Sequence, residues 1–266
     1  MHRAGWVGIL ITGGAIVFIV APMVIIVVMS FTPYPYLKLP DTHLSLRWYL
    51  SLGKNSHFIA AFYKSLYLAT ATVSLTMVVG TAAAYALDRF ELPFTRILNA
   101  FFLSPLMVPA VIMGIALLQF LSRLRVAGSF TGLLIGHVII TSPYVIRIVL
   151  AGLKGVGPSL ERAAMNLGAP RLRAFLEVTL PLSSHAILGA AVFAFLVSFD
   201  NLTVSLFLAG PTYTTLPIQI FSYVSDQNDP LIAAVSTVLI FFSVALIFVV
   251  ERSVGLRRLF AGASTG

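Results

Sequence analysis

The sequence predicts an all-α membrane protein with six transmembrane helices. Three observations carry that expectation: the scarcity of charge, the length of the uncharged apolar runs, and the sidedness of the lysines and arginines between them. Of the 266 residues, 59% are hydrophobic and 10% are charged, against about 25% charged in an average soluble domain. About 20 apolar residues are needed to cross the hydrocarbon core, and six stretches are long enough. Irregular backbone cannot face lipid, where no water satisfies its polar groups, so all six are expected to be helices. The absence of cysteine removes disulfides, thiolate ligands and thiol chemistry and leaves the redox compartment open. A net charge of +8 would raise nucleic acid as a partner for a soluble protein. In a membrane protein it first reflects the basic residues that fix orientation, and no nucleic-acid partner is expected.

The first uncharged run extends from Ala4 to Leu37. An apolar run behind Arg3 is also the mark of a signal peptide, but an h-region is only about 7–15 residues, so a retained span is expected. The next runs are Ser65 to Leu87, Ile97 to Ser122 and Val126 to Ile146. Val178 to Phe199, continuing past Asp200 to Leu208, and Pro230 to Val250 complete the set. The chain therefore reads as one domain over 1–266, with spans near 5–31, 62–87, 97–122, 128–150, 183–208 and 230–251 and a polar loop over 153–182. Pro105 and Pro109 interrupt the third span, either as a plain kink or as an opening of its backbone toward a cavity. Gly132 and Gly136 form a small-xxx-small pair that lets two helices approach closely, and the Thr81 to Ala84 run offers the same on the second span.

Six spans place both termini on one side. With the termini inside, Arg3, Arg89, Arg96, Arg147, Lys154, Arg162, Arg171, Arg173, Arg252, Arg257 and Arg258 are cytoplasmic. Lys38, Arg47, Lys54, Lys64, Arg123 and Arg125 are external. Eleven against six favours this orientation. The external loop from Thr32 to Lys64 carries Tyr34, Tyr36, Trp48, Tyr49 and Phe58, types that settle at the membrane interface, and a short interfacial helix is expected near Leu46 to Leu52. A second external loop, Ala209 to Asp229, is rich in turn formers and reads as ordered turns, either a docking surface or simple connectors.

The polar interruption GPSLERAAMNLGAPRLRAFLEVTLP, Gly157 to Pro181, organises the rest. Pro158 and Ser159 make a helix start, and Glu161 lies in the first turn, where a negative charge complements the helix dipole. Gly168 is the expected left-handed stop, and Pro170 suits the first turn of a second helix. Leu160, Ala163, Ala164 and Leu167 fall at i, i+3, i+4, i+7, a narrow apolar stripe whose alanines permit close approach by another surface. A helix of about eight residues is shorter than the ~12–15 needed for marginal stability alone, so neighbouring spans or a docked partner must hold it.

These residues resemble the membrane-spanning permease subunits of binding-protein-dependent ABC importers, whose cytoplasmic loop has the form E-A-A-x3-G-x9-I-x-L-P. Ala163, Ala164, Gly168, Leu180 and Pro181 match at that spacing, and Val178 replaces the isoleucine. The family glutamate falls on Arg162, with Glu161 one residue early, a rotation of about 100° on a helix. The resemblance implies a type I ABC importer permease fold with a cytoplasmic coupling helix between spans four and five. Leu160, Glu161, Arg162, Ala163, Ala164, Leu167, Gly168, Ala169 and Pro181 would couple it to the ATPase. It also implies a second homologous permease, two ABC ATPase subunits that bind ATP and magnesium, an external solute-binding protein, and residence in the bacterial inner membrane among its lipids.

Enzyme signatures are absent. No GxxxxGK[ST] loop, GxSxG or HExxH occurs, and the five histidines have no ligand spacing, so no catalytic residue, metal or cofactor is expected in this chain. His185 is expected at the cytoplasmic entrance of the fifth span. Asp200 is the exception to a clean interior, since a carboxylate at bilayer depth costs roughly 2.5–3.5 kcal/mol unless it faces a wet cavity or a partner. Ser198, Asn201, Thr203 and Ser205 lie beside it. Two readings stay open: a negative centre in a path for a cationic substrate, or a pair with a group on a neighbouring helix. SFDNLTVSLFLAGPTYTTLPIQIF and SPLMVP resemble the spermidine/putrescine importer permeases, which implies a substrate path at Asp200, Ser198 and Asn201 and a small solute, a polyamine or similar cation. Leu106 stands where that subfamily carries an acidic residue, and relatives also move opines, phosphonates and iron. A secondary transporter would need several ionisable residues near the midplane, where this chain offers Asp200.

Overall fold

The computed structural model describes residues 6–254, apart from Thr42, Leu92 and Asn228. Arg3, Arg257 and Arg258 of the cytoplasmic set, and the first residues of the first span, lie outside the described residues. Every regular element among those described is helical. The chain divides into two compact units, one formed by the residues up to Ala60 with Gln219–Leu246, the other by Ala61–Ile218 with the residues from Ile247.

In the first unit, α1 (Trp6–Met29) is apolar on all sides and contains Pro22. A uniformly apolar helix has no water-facing stripe, as expected for one solvated by lipid. Its C-terminal end is fixed to the short helix α2 (Arg47–Lys54), where the expected interfacial helix lies. The Ser30 and Tyr49 hydroxyls share a 2.6 Å hydrogen bond, and Phe31 packs on the Tyr49 ring. Trp48 and Phe58 are buried, so two of the interface-type aromatics are core residues of this unit. Phe58 meets Tyr223 edge to face at 5.2 Å.

The second unit is built around α6 (Phe130–Val156), the helix with the most buried positions. Ser129 caps its start by accepting from the Gly132 amide. The helix α3 (Ser56–Arg89) contributes Leu68, Thr76 and Ala84 to the interior, and Thr76 shares a buried 3.0 Å hydrogen bond with Thr141 of α6. Two apolar clusters form the core. Val145, Ile146, Val149 and Leu153 of α6 pack with Ala84, Ala190 and Ala194, and Leu117, Leu121 and Leu133 pack with Leu68, Val204 and Leu208.

The third span is not one straight helix. The helices α4 (Thr95–Leu103) and α5 (Ala110–Arg123) are joined through a 3₁₀ turn at Ser104–Leu106 and meet at 102°. Pro105 and Pro109 supply no amide to continue the ladder, and Pro109 sits extended at the start of α5. The bend is far larger than a plain proline kink. The fifth stretch is broken twice. The helix α7 (Ser159–Asn166) is followed by α8 (Arg171–Ala174), a π-helical stretch at Phe175–Thr179 and the single turn α9 (Leu180–Leu182), and α10 (Ser184–Phe199) then leaves at 76°. A second break at Asp200 precedes α11 (Thr203–Leu208). Residues 209–229, read as turns, also contain the helix α12 (Leu216–Asp226), whose Pro217 lies in the first turn where a proline is tolerated. The last helix, α13 (Leu231–Val254), begins where the Asp229 carboxylate accepts from the Leu231 amide. Among the described residues, four helices are long and apolar enough to cross a membrane, or up to six if each bent pair is one span.

Small residues set the helix spacing in the second unit. A Cβ on Gly136 would overlap Leu208 of α11, whereas one on Gly132 would strike the carbonyl of Val126 in the preceding loop. Only half of the Gly132/Gly136 pair therefore serves a helix crossing. Helix α10 approaches α6 closely at Gly152, where an added Cβ would collide with the Ala186 methyl. Gly152→Ala should destabilise the purified protein by about 1–3 kcal/mol, read as a lowered thermal midpoint in detergent. Adding Ala186→Gly should restore most of the loss, and equal midpoints for wild type and single variant would show that the contact is slack.

Candidate functional site: the loop between α6 and α10

Gly157 and Gly168 bracket α7, and both take positive φ, +70° and +95°. In that region a Cβ is strained, so glycine is required for the chain to turn into and out of the short helix. Ser159 is the first helical residue, and Pro158 precedes it without a side-chain cap.

What holds this eight-residue helix is Glu161. Its residue is only 3% exposed, and its carboxylate is bonded from two directions. Tyr85 of α3 donates its hydroxyl to Oε1. Arg89, the last residue of α3, donates Nε to Oε2 at 3.1 Å, and Thr179 in the π-helical stretch donates its hydroxyl to the same oxygen at 2.8 Å. Arg89 also pairs with Asp88 and donates Nη2 to the Gly157 carbonyl at 3.0 Å. One guanidinium thus serves two carboxylates and the backbone just ahead of α7. A buried carboxylate is costly unless it is paired and its lone pairs are filled, and here both conditions hold. Burial acts to raise the Glu161 pKa, but the hydrogen bonds from Tyr85, Thr179 and Arg89 and the Arg89 charge outweigh it and hold the carboxyl below its ordinary 4.5. Aromatic contacts close the cluster: Tyr85 packs on Phe175 at 4.6 Å, and Arg171 lies over the Phe90 ring at 4.8 Å.

The sequence places Glu161 in the first turn as a complement to the helix dipole. Its position there is as expected, but its main role is as the buried anchor. Much of the rest of α7 and the turn after it is exposed. Leu160, Arg162, Ala163 and Gly168 are exposed, Leu167 is 90% exposed, Ala164 and Ala169 are half-buried, and Pro181 is exposed. The apolar stripe from Leu160 to Leu167 thus flanks the buried Glu161, with Leu160, Ala163 and Leu167 exposed and Ala164 half-buried.

The second candidate locus, at the α10–α11 break, separates the residues grouped by sequence. Asp200 is exposed and has no side-chain hydrogen bond or ion pair among the described residues. Asn201 is a cap: its Oδ1 accepts from the Val204 amide at 3.0 Å and starts α11. Ser198 is buried and shares a 2.8 Å hydrogen bond with Nδ1 of His137 on α6, whose Nε2 meets Ser205 at 3.0 Å. His137 is fully buried, so this imidazole clamps both sides of the break. Spacing along the sequence gives no sign of it. His185 lies exposed in the first turn of α10. No cluster among the described residues could hold a metal ion.

Residues 76–256 match a family described as binding-protein-dependent transport system inner membrane component. The chain belongs to this family. Among curated relatives, it is 30% identical to the spermidine/putrescine transport system permease protein PotC of Haemophilus influenzae, over 86% of this chain and 89% of that protein. It is 33% identical to the putrescine transport system permease protein PotI of Escherichia coli K12, over 84% and 82%. Its fold matches a bacterial ABC transporter that imports the acidic polysaccharide alginate, with a TM-score of 0.68, 14% identity and 94% and 95% of the two chains covered. The inward-facing MetNI methionine ABC transporter matches with a TM-score of 0.64, at 16% identity over 75% and 95%. As a member of this inner-membrane family, the chain is a multi-pass permease subunit of an ABC importer, a transport component rather than an enzyme.

The anchor makes two predictions. Arg89→Ala strands two carboxylates and should cost about 3–5 kcal/mol, measured as loss of thermal stability in detergent; a loss under 1 kcal/mol would show that water replaces the guanidinium. Because the folded pKa of Glu161 is depressed, its contribution is present above the unfolded value of 4.5 and is lost as pH falls through the lower folded value. Stability of the wild type should therefore fall more steeply below pH 4.5 than that of Glu161→Gln, and parallel pH profiles would contradict the assignment.

Proposed function

We propose that the exposed stripe of α7 is the seat of an ATPase subunit and that the chain forms half of an import path for a polyamine or similar small cation. The observation that carries this reading is that one short helix combines a buried ionic anchor at Glu161 with apolar Leu160 and Leu167 left exposed beside it. A force applied to that stripe is passed to the end of α3 and to the π-helical stretch leading into α10. Six spans with both termini in the cytoplasm put α7 on the side where an ATPase works, in keeping with the eleven-to-six distribution of basic residues. The assembly comprises this chain, a second homologous permease, two ATPase subunits carrying ATP and magnesium, and an external solute-binding protein. The permease needs no cofactor of its own. Nucleotide binding closes the ATPases, α7 moves with them, and the two permeases rock to alternate access.

The polyamine reading is supported by the likeness to the PotC and PotI permeases and by Asp200, an exposed carboxylate without a partner among the described residues, at a break in an apolar helix. A negative group held this way attracts ammonium groups without a competing internal cation. Ser198 and Asn201 frame it through the His137 clamp and the α11 cap.

Leu167→Asp should abolish co-purification of the ATPase subunit while leaving the permease folded, and full retention of the ATPase would remove α7 as its seat. Asp200→Asn should lower putrescine uptake by roughly tenfold or more, the effect of about 1.4 kcal/mol, with unchanged binding of putrescine to the external receptor; wild-type uptake would remove Asp200 from the path.

A further inference from the structure

Beside the Glu161 anchor, the second unit contains a groove of about 840 Å³. One wall is α3, through Met77, Ala82 and Ala86, and the other is formed by Leu172 and Leu176 after the α7 loop. Its end is marked by Phe90 and Arg171. The volume lies within the roughly 300–1,000 Å³ of small-molecule sites, but the walls offer almost nothing that would orient a polar solute. Met77 to Ala86 rises about 14 Å along the helix axis, close to the depth of one leaflet, about half of the ~30 Å hydrocarbon core. With Met77 toward the bilayer midplane, Arg171 at the other end of the groove would stand at headgroup level. Its guanidinium lies over Phe90 at 4.8 Å and makes no ion pair among the described residues, while nearby Arg89 is consumed by Asp88 and Glu161.

We propose that this groove is a binding site for an anionic phospholipid, with one acyl chain along Met77–Ala86 and its phosphate on Arg171. A tail fills an apolar slot of leaflet depth, and a preset guanidinium at its mouth selects negative charge, the arrangement by which basic pockets beside spans hold acidic lipids. The site stands on membrane residence alone and is independent of the substrate reading.

The test is native mass spectrometry of the full chain, purified with its co-purifying subunits and titrated with phosphatidylglycerol or phosphatidylcholine of identical tails. The wild type should prefer phosphatidylglycerol by about fivefold, the share of one basic residue at an anionic surface. Arg171→Gln should erase that preference and keep phosphatidylcholine binding, which also shows that the variant is folded. Equal binding of the two lipids to wild type, or a preference that survives Arg171→Gln, overturns the proposal. So does a crosslink from Ala82→Cys to another protein chain in place of lipid, a clean probe because the sequence has no cysteine of its own.

Discussion

The structure of the loop depends on the burial of one carboxylate. Glu161 leaves water only because Tyr85, Arg89 and Thr179 fill its lone pairs and Arg89 supplies the counter-charge. Those partners come from the end of α3 and from the π-helical stretch before α10, so the cluster knots together segments far apart in sequence. An isolated helix of eight residues would melt. Pinned by Glu161, and with Arg89 also holding the Gly157 carbonyl, α7 becomes a rigid extension of α3. Its exposed residues are then free for contact without any loss of support.

The same logic recurs at the break in the fifth stretch. Ending a helix inside an apolar layer leaves backbone groups without partners, and the chain meets that cost with side chains. Asn201 caps α11, and His137 reaches Ser198 before the break and Ser205 after it. Asp200 is thereby displayed from a fixed frame. Close approaches at Gly136 and Gly152 bring α11 and α10 tightly against α6, so the frame is short of slack.

Much of this was legible in the sequence because membrane burial leaves a one-dimensional trace. The helical class, the short helix near Trp48, the glycine stop at Gly168 and the stripe from Leu160 to Leu167 all follow from local composition and spacing. The motif match at Ala163, Ala164, Gly168, Leu180 and Pro181 led to the correct family. What stayed hidden was long-range or conformational. Nothing local shows that Glu161 turns inward, because Tyr85 and Arg89 lie more than seventy residues away. His137 looks like a lone histidine until α6 is laid against the break. The 102° bend at Pro105 and Pro109 exceeds what prolines dictate by themselves, and α12 was concealed behind the turn formers that precede it.

The central claim is that α7 and α3 move as one body because Glu161 joins them. The chain has no cysteine, so spin labels can be placed at Asn166 on α7 and at Val79 on α3, both exposed, in the assembled importer. Pulsed dipolar spectroscopy with and without nucleotide then reads their separation. The account predicts one narrow distance distribution in both states, broadened by Glu161→Gln. A wild-type distance that changes with nucleotide would contradict it.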